Sequence, residues 1–579
     1  MPDTNLTLPP SKNPELSKNE GIKARSRALR GTIAEGMGNV VTGALAEDDT
    51  QLTKFHGFYQ QDDRDLRAER GRKRMEPAIS FMARLRIPGG RVSPQQWLQL
   101  SEIARERANG TIRLTTRQTI QFHGIIKGNL RPALSAVNDA LLDTIAACGD
   151  VNRNVICTSN PHASPAHAAA LDLARRLSDE LLPKTRAWHE LWVGEERVAG
   201  GEPEEEPLYG TVYLPRKFKI AIAVPPQNDV DVFAHDLGFI SIEQDGAVIG
   251  YDVSVGGGMG MTHGETDTFP RLGTVIGFCT PEEAVAVGDA VIRAQRDHGN
   301  RSIRKHARLK YTIERMGVDA FRAEVERYLG HPLAPAHGAS FTGTGDHLGW
   351  SESPDGTWQY CLFIENGRVH DLPDRRLLSG LRAIANVHRG EFLMTANHNL
   401  IVAGVAREEK AGIAALLLQY GMEQGMSALR LASMACVALP TCGLALSESE
   451  RYLPSLITKL DAVMTDAGLA EQSIVMRMTG CPNGCARPYV AEIAMVGRGP
   501  GRYNLYLGAA PDGTRLNKLY RRDVDEAAIL EALTPLLHEY AAERDAGERF
   551  GDWVIRAGHI QATTAGNRFH KDLAEAVAA

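Results

Sequence analysis

The chain has 579 residues, 43% hydrophobic and 23% charged, with a net charge of −6 and a pI near 6.3. Those values are ordinary for a globular protein with several cores and carry no electrostatic footprint for nucleic acid. No apolar run reaches the ~20 residues of a membrane span, and the polar start Met1-Pro2-Asp3-Thr4-Asn5 lacks a secretory pattern, so a cytoplasmic location without a membrane partner is expected.

Residues 1–20 are polar and read as mobile, the first part of an N-terminal arm over residues 1–75. Residues 55–65 mix aromatics and charge, as a segment docked on the main body does. From about residue 80, short strands and helices alternate. Residues 81–87 alternate like a strand and stop at Pro88-Gly89-Gly90. Ser93-Pro94 and Ser164-Pro165 each read as a helix start, Ser as cap and Pro at the first position. Residues 111–124 have strand composition, and residues 165–182 and 281–297 have helical periodicity. Residues 201–207 read as an acidic surface loop.

An internal repeat organises this pattern. Residues 110–124 line up with residues 390–404, each with Gly, a β-rich run, Thr and a second Gly. Residues 250–256 resemble residues 502–508. Two copies of one long module predict an α+β fold with pseudo-two-fold architecture. The copies differ in chemistry: Arg113, Arg117 and Gln118 stand where the second has Leu393, Asn397 and His398. The second carries Cys436 and Cys442, where the comparable region of the first has only Cys157.

Eight cysteines in so long a chain do not make a disulfide framework. Four of them, Cys436, Cys442, Cys481 and Cys485, form a C-x5-C pair and a C-x3-C pair set among Pro and Gly. Four thiolates suit a [4Fe–4S] cluster. Zinc competes, although its structural sites use tighter pairs. Buried thiols without metal are the third reading. Cys148, Cys157, Cys279 and Cys361 stand alone in apolar settings and read as core packing.

Basic residues recur at strand ends beside Gly or Pro: Arg84, Arg113, Arg117, Arg153, Arg216, Lys217, Lys219, and the run through Lys305. Each alone is a solvated charge. Lys217 and Lys219, however, fall on one side of an extended segment. Like charges there are unfavourable unless an anion joins them, so a small oxyanion, polycarboxylate or phosphate is expected. The glycines at 256–258 and 260, and those at 497, 499 and 501, lack the dinucleotide and P-loop spacings, so no NAD(P) or flavin site is expected. The first of these runs reads as backbone approaching something flat and large.

Together, the cysteine quartet, Arg117-Gln118, residues 152–155, residues 215–219 and Thr479-Gly480-Cys481-Pro482-Asn483-Gly484-Cys485 resemble the sirohaem-dependent sulfite and nitrite reductase family, from about Leu29 to about Gly558. The resemblance is to its flavoprotein-partnered haemoprotein subunits. It implies a duplicated ferredoxin-like domain (76–147 with 348–424), a sirohaem- and substrate-binding domain (148–347) and a cluster- and sirohaem-binding domain (425–579). It implies a [4Fe–4S] cluster on Cys436, Cys442, Cys481 and Cys485, the last shared with the sirohaem iron. Arg84, Arg153, Lys217 and Lys219 would face sulfite. Arg113, Thr115, Arg117, Gln121, His123, Asn152, Arg216, Lys305 and Asn483 match positions near the macrocycle, whose carboxylates would explain the surplus of cations.

The implied activity is assimilatory six-electron reduction of sulfite to sulfide, with electrons from a separate NADPH-oxidising flavoprotein (alpha) subunit. Ferredoxin-dependent sulfite or nitrite reduction is the alternative; a cluster or zinc scaffold is the non-enzyme one. Lys219 stands where the nitrite enzymes typically have Asn, which favours sulfite. Departures from the pattern are Gly443 where relatives often have Pro, and Thr116 where Asn is frequent. The last twenty or so residues match nothing in the family.

Overall fold

The computed structural model describes residues 15–184, 191–193, 196–199, 206–423 and 425–573; most of the anticipated acidic loop at 201–207 lies outside them. Four five-stranded sheets come in two matched pairs. In the first pair, one sheet runs Phe58–Asp62, Ile79–Arg84, Ile120–Ile125, Ile112–Leu114, Arg368–Val369. Its mate runs Gly349–Glu352, Trp358–Leu362, Leu400–Val405, Glu391–Met394, Arg91–Val92. Every pairing in both is antiparallel. The fifth strand is exchanged. Arg91–Val92 of the first copy pairs in the second sheet, and Arg368–Val369 of the second copy pairs in the first. The two sheets and the helices Pro94–Arg107 and Leu377–Val387 share one core, in which Trp97 packs 5.2 Å from Phe392.

The second pair of sheets is mixed. One runs Ile156–Cys157, Ile220–Ala223, Leu237–Gln244, Ala247–Val255, Thr274–Cys279. The other runs Ser433–Ala435, Met476–Thr479, Ile493–Gly499, Arg502–Leu507, Lys518–Val524. In each, the first three strands are parallel and the last two antiparallel. Their second strands, Ile-Ala-Ile-Ala and Met-Arg-Met-Thr, are buried throughout, as inner parallel strands covered on both faces must be. Each sheet has its own core, closed by Pro165–Glu180 and Ala284–His298 in one and by Leu453–Asp466 and Glu526–Glu543 in the other. The anticipated caps are present: Ser93 forms a capping box with Gln96, and Ser164 accepts from the His167 amide.

The duplicated architecture is therefore a property of the topology. One detail of the alignment changes. Cys157 pairs with Ile222 and Ala435 with Met478, at the same place in the two sheets. The next residues also match, since Thr158 N donates to Ile222 O (2.9 Å) and Cys436 N to Met478 O (3.1 Å). The counterpart of Cys436 is thus Thr158, not Cys157.

The arm docks on the body and also supplies an edge strand, Phe58–Asp62. Its described beginning is not a mobile tail. The helix Lys18–Arg25 buries Glu20 and Lys23, which pair at 2.6 Å; Lys23 Nζ also donates to Leu214 O, and Arg301 holds Glu20 at 2.7 Å. Buried charge must be paired, and these partners lie far away in sequence. Farther along, Arg64 donates from its amide to Pro440 O (3.2 Å) and from Nη1 to Cys442 O (3.4 Å), so the arm rests on a cysteine loop.

Candidate functional site

The parallel strands Ser433–Ala435 and Met476–Thr479 both end at the same edge, where open α/β sheets place their ligands. Cys436 follows the first directly. The second leads into Gly480, Cys481 and the turn to Cys485. All six pairings among Cys436, Cys442, Cys481 and Cys485 are electrostatic contacts. Burial, and then mutual repulsion with Cys485 foremost, pushes Cys436 and Cys481 up to about 12 and Cys442 to about 11. Gly480 N donates to Cys436 Sγ and Asn483 Nδ2 to Cys481 Sγ, each at 3.4 Å. Such donors favour thiolates, and a metal centre would complete the deprotonation. Among the described residues, no three His, Cys, Asp or Glu side chains are grouped to hold a single metal ion. The approach is tight: a Cβ on Gly497 would lie 2.4 Å from Gly480 O.

Cys485 opens into a pocket that also takes Lys217, Lys219, Arg117 and Asn483, with Thr116, Ala234, His235, Met259, Gly260, Gly484, Arg308 and Arg487 completing the wall. Phe218 is buried in the core, so its neighbours turn to the other side, as the alternation predicts. Burial first, then Arg216 and Arg308, lowers Lys217 to about 7. Burial, Lys217 and Arg117 hold Lys219 well below the usual lysine range. Burial, Arg153 and Arg487 lower Arg117 to about 9. His235 is pushed well down by burial and then by Arg117 and Lys219. Cations that suppress one another's charge in a shared pocket would each be relieved by a bound anion.

The remaining anticipated residues do not line this pocket, and several are linked to it through the field of its charges. Arg84 and Arg113 feel the field of Cys485, and Arg153 that of Lys217 and Arg117. Arg84 Nη1 donates to Cys148 Sγ (3.0 Å), and with the Gln121 amide turned to match its neighbours, Arg84 Nε donates to Gln121 Oε1 (3.0 Å). That orientation also joins Gln121 to His123 (3.3 Å). Arg113 Nη2 holds Ala435 O (2.9 Å), the carbonyl just before Cys436, and Arg113 Nε pairs with Glu450 (3.1 Å). Thr115 Oγ1 accepts from Arg117 N (3.2 Å). Burial and Arg304 bring Arg216 down to about 10. Among the described residues, buried Arg117 Nε, His123 Nδ1 and Asn152 Oδ1 have no hydrogen-bond partner. Lys305 is not brought to the pocket. It is partly exposed and pairs with Glu265 (2.7 Å) and Asp267 (3.0 Å), because acids on the facing loop offer it partners.

Sequence reasoning missed Arg308, His235, Asp231 and Lys310. Arg308 is held by Asp236 at 2.8 Å, and the basic run at 301–305 points towards it. Lys310 Nζ donates to Gly258 O (3.2 Å), Gly260 O (2.7 Å) and Phe269 O. That binds the glycine-rich run from within. The run meets the cysteine turn directly: Met261 N donates to Pro482 O (2.8 Å), and a Cβ on Gly260 would stand 3.3 Å from Asn483 O.

Among the described residues, the first copy has Thr158 and Asp229 where the second has Cys436 and Cys485. Thr158 Oγ1 donates to Asp229 Oδ1 (2.7 Å), and Asp229 stands two residues before a left-handed residue, Asp231, as Cys485 stands before Arg487. Burial, then Asp346, raises Asp229 to about 7. Cys148, Cys157, Cys279 and Cys361 are buried free thiols, as anticipated.

Comparison with known proteins agrees with this layout. The model of the nitrite and sulphite reductase 4Fe-4S domain matches residues 174–333, in the first copy. The model of the nitrite/sulfite reductase ferredoxin-like half domain matches residues 75–140 and 351–420. The sulfite reductase (NADPH) hemoprotein beta-component of Chromohalobacter salexigens is 58% identical over 561 residues, which are 96% of this chain and 98% of that one. The protein of the same name from Bacillus subtilis is 54% identical over 554 residues, 95% and 97% of the two chains. The structure of the Mycobacterium tuberculosis NirA protein superposes with a TM-score of 0.74 at 25% identity, over 94% of this chain and 97% of that one. On this identity and coverage, the chain belongs to the sulfite reductase (NADPH) hemoprotein beta-component family.

Proposed function

We propose that this protein performs assimilatory reduction of sulfite to sulfide, using a [4Fe–4S] cluster and sirohaem, with electrons delivered by a separate NADPH-oxidising flavoprotein subunit. The observation that carries the reading is the junction of two sites: a cationic pocket ends at Cys485, and Cys485 is an electrostatic neighbour of three further thiols. The donor set fits both groups. Cys436, Cys442, Cys481 and Cys485 would hold the cluster, with Cys485 shared with the sirohaem. The unpartnered donors Arg117 Nε and His123 Nδ1, with Arg113, Thr115, Gln121, Asn152, Arg216 and Asn483, suit a large polyanionic ring. Lys305, tied to acids outside the pocket, would join only by leaving them. When bound, the two groups supply the electrons and the iron on which the S–O bonds are broken.

The chain's own share is electrostatic. Lys217, Lys219, Arg84 and Arg153 receive the oxyanion; Arg308, fixed by Asp236, is a standing charge that needs no reorganisation. Lys217 Nζ has an affinity for protons near neutrality, so it can both hold a proton against the bound anion and yield it to a departing oxygen. Ala234 and Met259 line the pocket with apolar surface, which keeps these charges strong.

We take the three domains with the limits read from the sequence, and a cytoplasmic setting suits a reductase that needs reduced thiols. No described helix is long and apolar enough to cross a membrane. The test is an absorption spectrum with metal analysis of the purified protein. Haem bands, iron and stoichiometric labile sulfide are expected, together with sulfite reduction on adding a flavoprotein donor and NADPH. A colourless, zinc-containing protein would overturn the reading, and activity with reduced ferredoxin alone would overturn the donor.

A further inference from the structure

Asp231 and Arg487 occupy the same position in the two copies. Both adopt left-handed backbone, at φ 49°, ψ 59° and φ 51°, ψ 51°. Each begins a short 3-10 helix, Val232–Ala234 or Pro488–Val490, and each precedes its strand, Leu237–Gln244 or Ile493–Gly499, by the same interval. A left-handed non-glycine residue costs energy, so the surroundings must hold it there. Here the two hold each other: Arg487 Nε donates to Asp231 Oδ2, and both side chains are buried. Arg477 Nη1 shares that oxygen at 2.6 Å and also donates to Arg487 O at 3.2 Å.

The rest of the guanidinium spans the duplication. Nη1 donates to Thr116 O (3.3 Å) and Nη2 to Ala396 O (3.0 Å). Those carbonyls are also repeat mates, each one residue after the threonine whose amide closes its turn, Thr115 on Thr119 (3.0 Å) and Thr395 on Asn399 (2.9 Å). Nη2 further meets Asn397 Oδ1 at 3.2 Å. The Arg487 guanidinium therefore sits on the pseudo-two-fold axis and joins all four sheets' loops at one point. Two residues before it stands Cys485, whose carbonyl accepts from Thr116 Oγ1 at 3.1 Å.

We propose that Arg487, aimed by Asp231, is a positioning residue that sets Cys485 against the cationic wall of the first copy. The inference rests on the cluster and sirohaem reading above. A lysine cannot replace it, because one ammonium cannot serve two carbonyls and a carboxylate in a plane. An acid elsewhere cannot replace Asp231, because the aim comes from its place on the axis.

The test compares the loaded wild type with Arg487→Lys and Asp231→Asn, by iron and sulfide content, absorption and low-temperature electron paramagnetic resonance, and the kcat and KM for sulfite. Both variants are expected to hold wild-type iron and sulfide, to show changed haem and cluster spectra, and to lose at least tenfold in kcat with KM within twofold. Unchanged spectra and kcat would overturn the proposal. So would a loss confined to KM, which marks a direct substrate contact, or a fall in melting temperature with spectra intact. If either variant does not fold, Thr116→Val, which removes only the hydroxyl bonded to the Cys485 carbonyl, must show the same spectral change; wild-type spectra there would overturn the proposal. A wild type without iron and labile sulfide would instead refute the cluster reading itself.

Discussion

Lys217 and Lys219 flank the buried ring of Phe218 and enter one pocket, where Lys217 lowers the affinity of Lys219 for protons and Arg308 lowers that of both. The arrangement is costly to an empty protein and favourable to one holding an anion. Replacing either with methionine should leave the fold unharmed, because one of two neighbouring like charges is removed. Sulfite turnover should fall about 100-fold, on the order of the 2.7 kcal/mol that one preorganised donor supplies. Steady-state assays alongside haem absorption check this, and full turnover in either variant would refute the assignment.

The lowered pKa of Lys217 gives a pH dependence with a definite sign. Above about 7 the anion-free pocket has released the Lys217 proton, and a bound anion restores it. Binding is then coupled to proton uptake, so affinity falls as pH rises beyond about 7. Nitrite, which does not titrate in this range, is the suitable probe. Its affinity should decline with pH in the wild type, with a shallower slope in Lys217→Met; equal slopes would remove Lys217 from the pocket's proton balance.

Asp229, the counterpart of Cys485, carries a stability signature of its own. Its folded pKa is raised to about 7 from 3.8. Between those values the folded state binds more protons than the unfolded chain, so stability falls as pH rises from about 4 to about 7. The full effect is bounded by roughly 4 kcal/mol. Asp229→Asn should therefore melt higher than the wild type at pH 8, with the gap closing towards pH 5. Thermal melts across that range decide, and a constant gap would contradict the assignment.

Gly497 and Gly499 form a matched pair. A Cβ on Gly497 would meet Gly480 O at 2.4 Å, one residue before Cys481, whereas nothing stands within 4 Å of a Cβ on Gly499. Gly497→Ala should lose most of its iron and sulfide, and Gly499→Ala should keep both. Metal analysis of the two proteins is sufficient; normal content in Gly497→Ala would show that the Cys481 turn tolerates displacement.

The duplication was legible because Thr115 and Thr395 close the same turn and the glycines around them cannot vary freely. The paired lysines were legible because alternation needs only local backbone. Other features depend on partners distant in sequence. Arg308 reads as one more cation until Asp236 fixes it in the wall. Lys305 reads as a pocket cation until Glu265 and Asp267 draw it outward. Glu20 and Lys23 look solvated until Arg301 and Leu214 close over them. The register that makes Thr158 the mate of Cys436 is a tertiary fact, one residue from what motif matching suggested.

The exchanged strands Arg91–Val92 and Arg368–Val369 bear on how such a chain can come into being. Each ferredoxin-like sheet keeps its last strand on the other copy. During synthesis the first copy stays unfinished, with an open edge, until the ribosome has delivered residue 369. Severing the copies would leave two incomplete sheets rather than two small proteins.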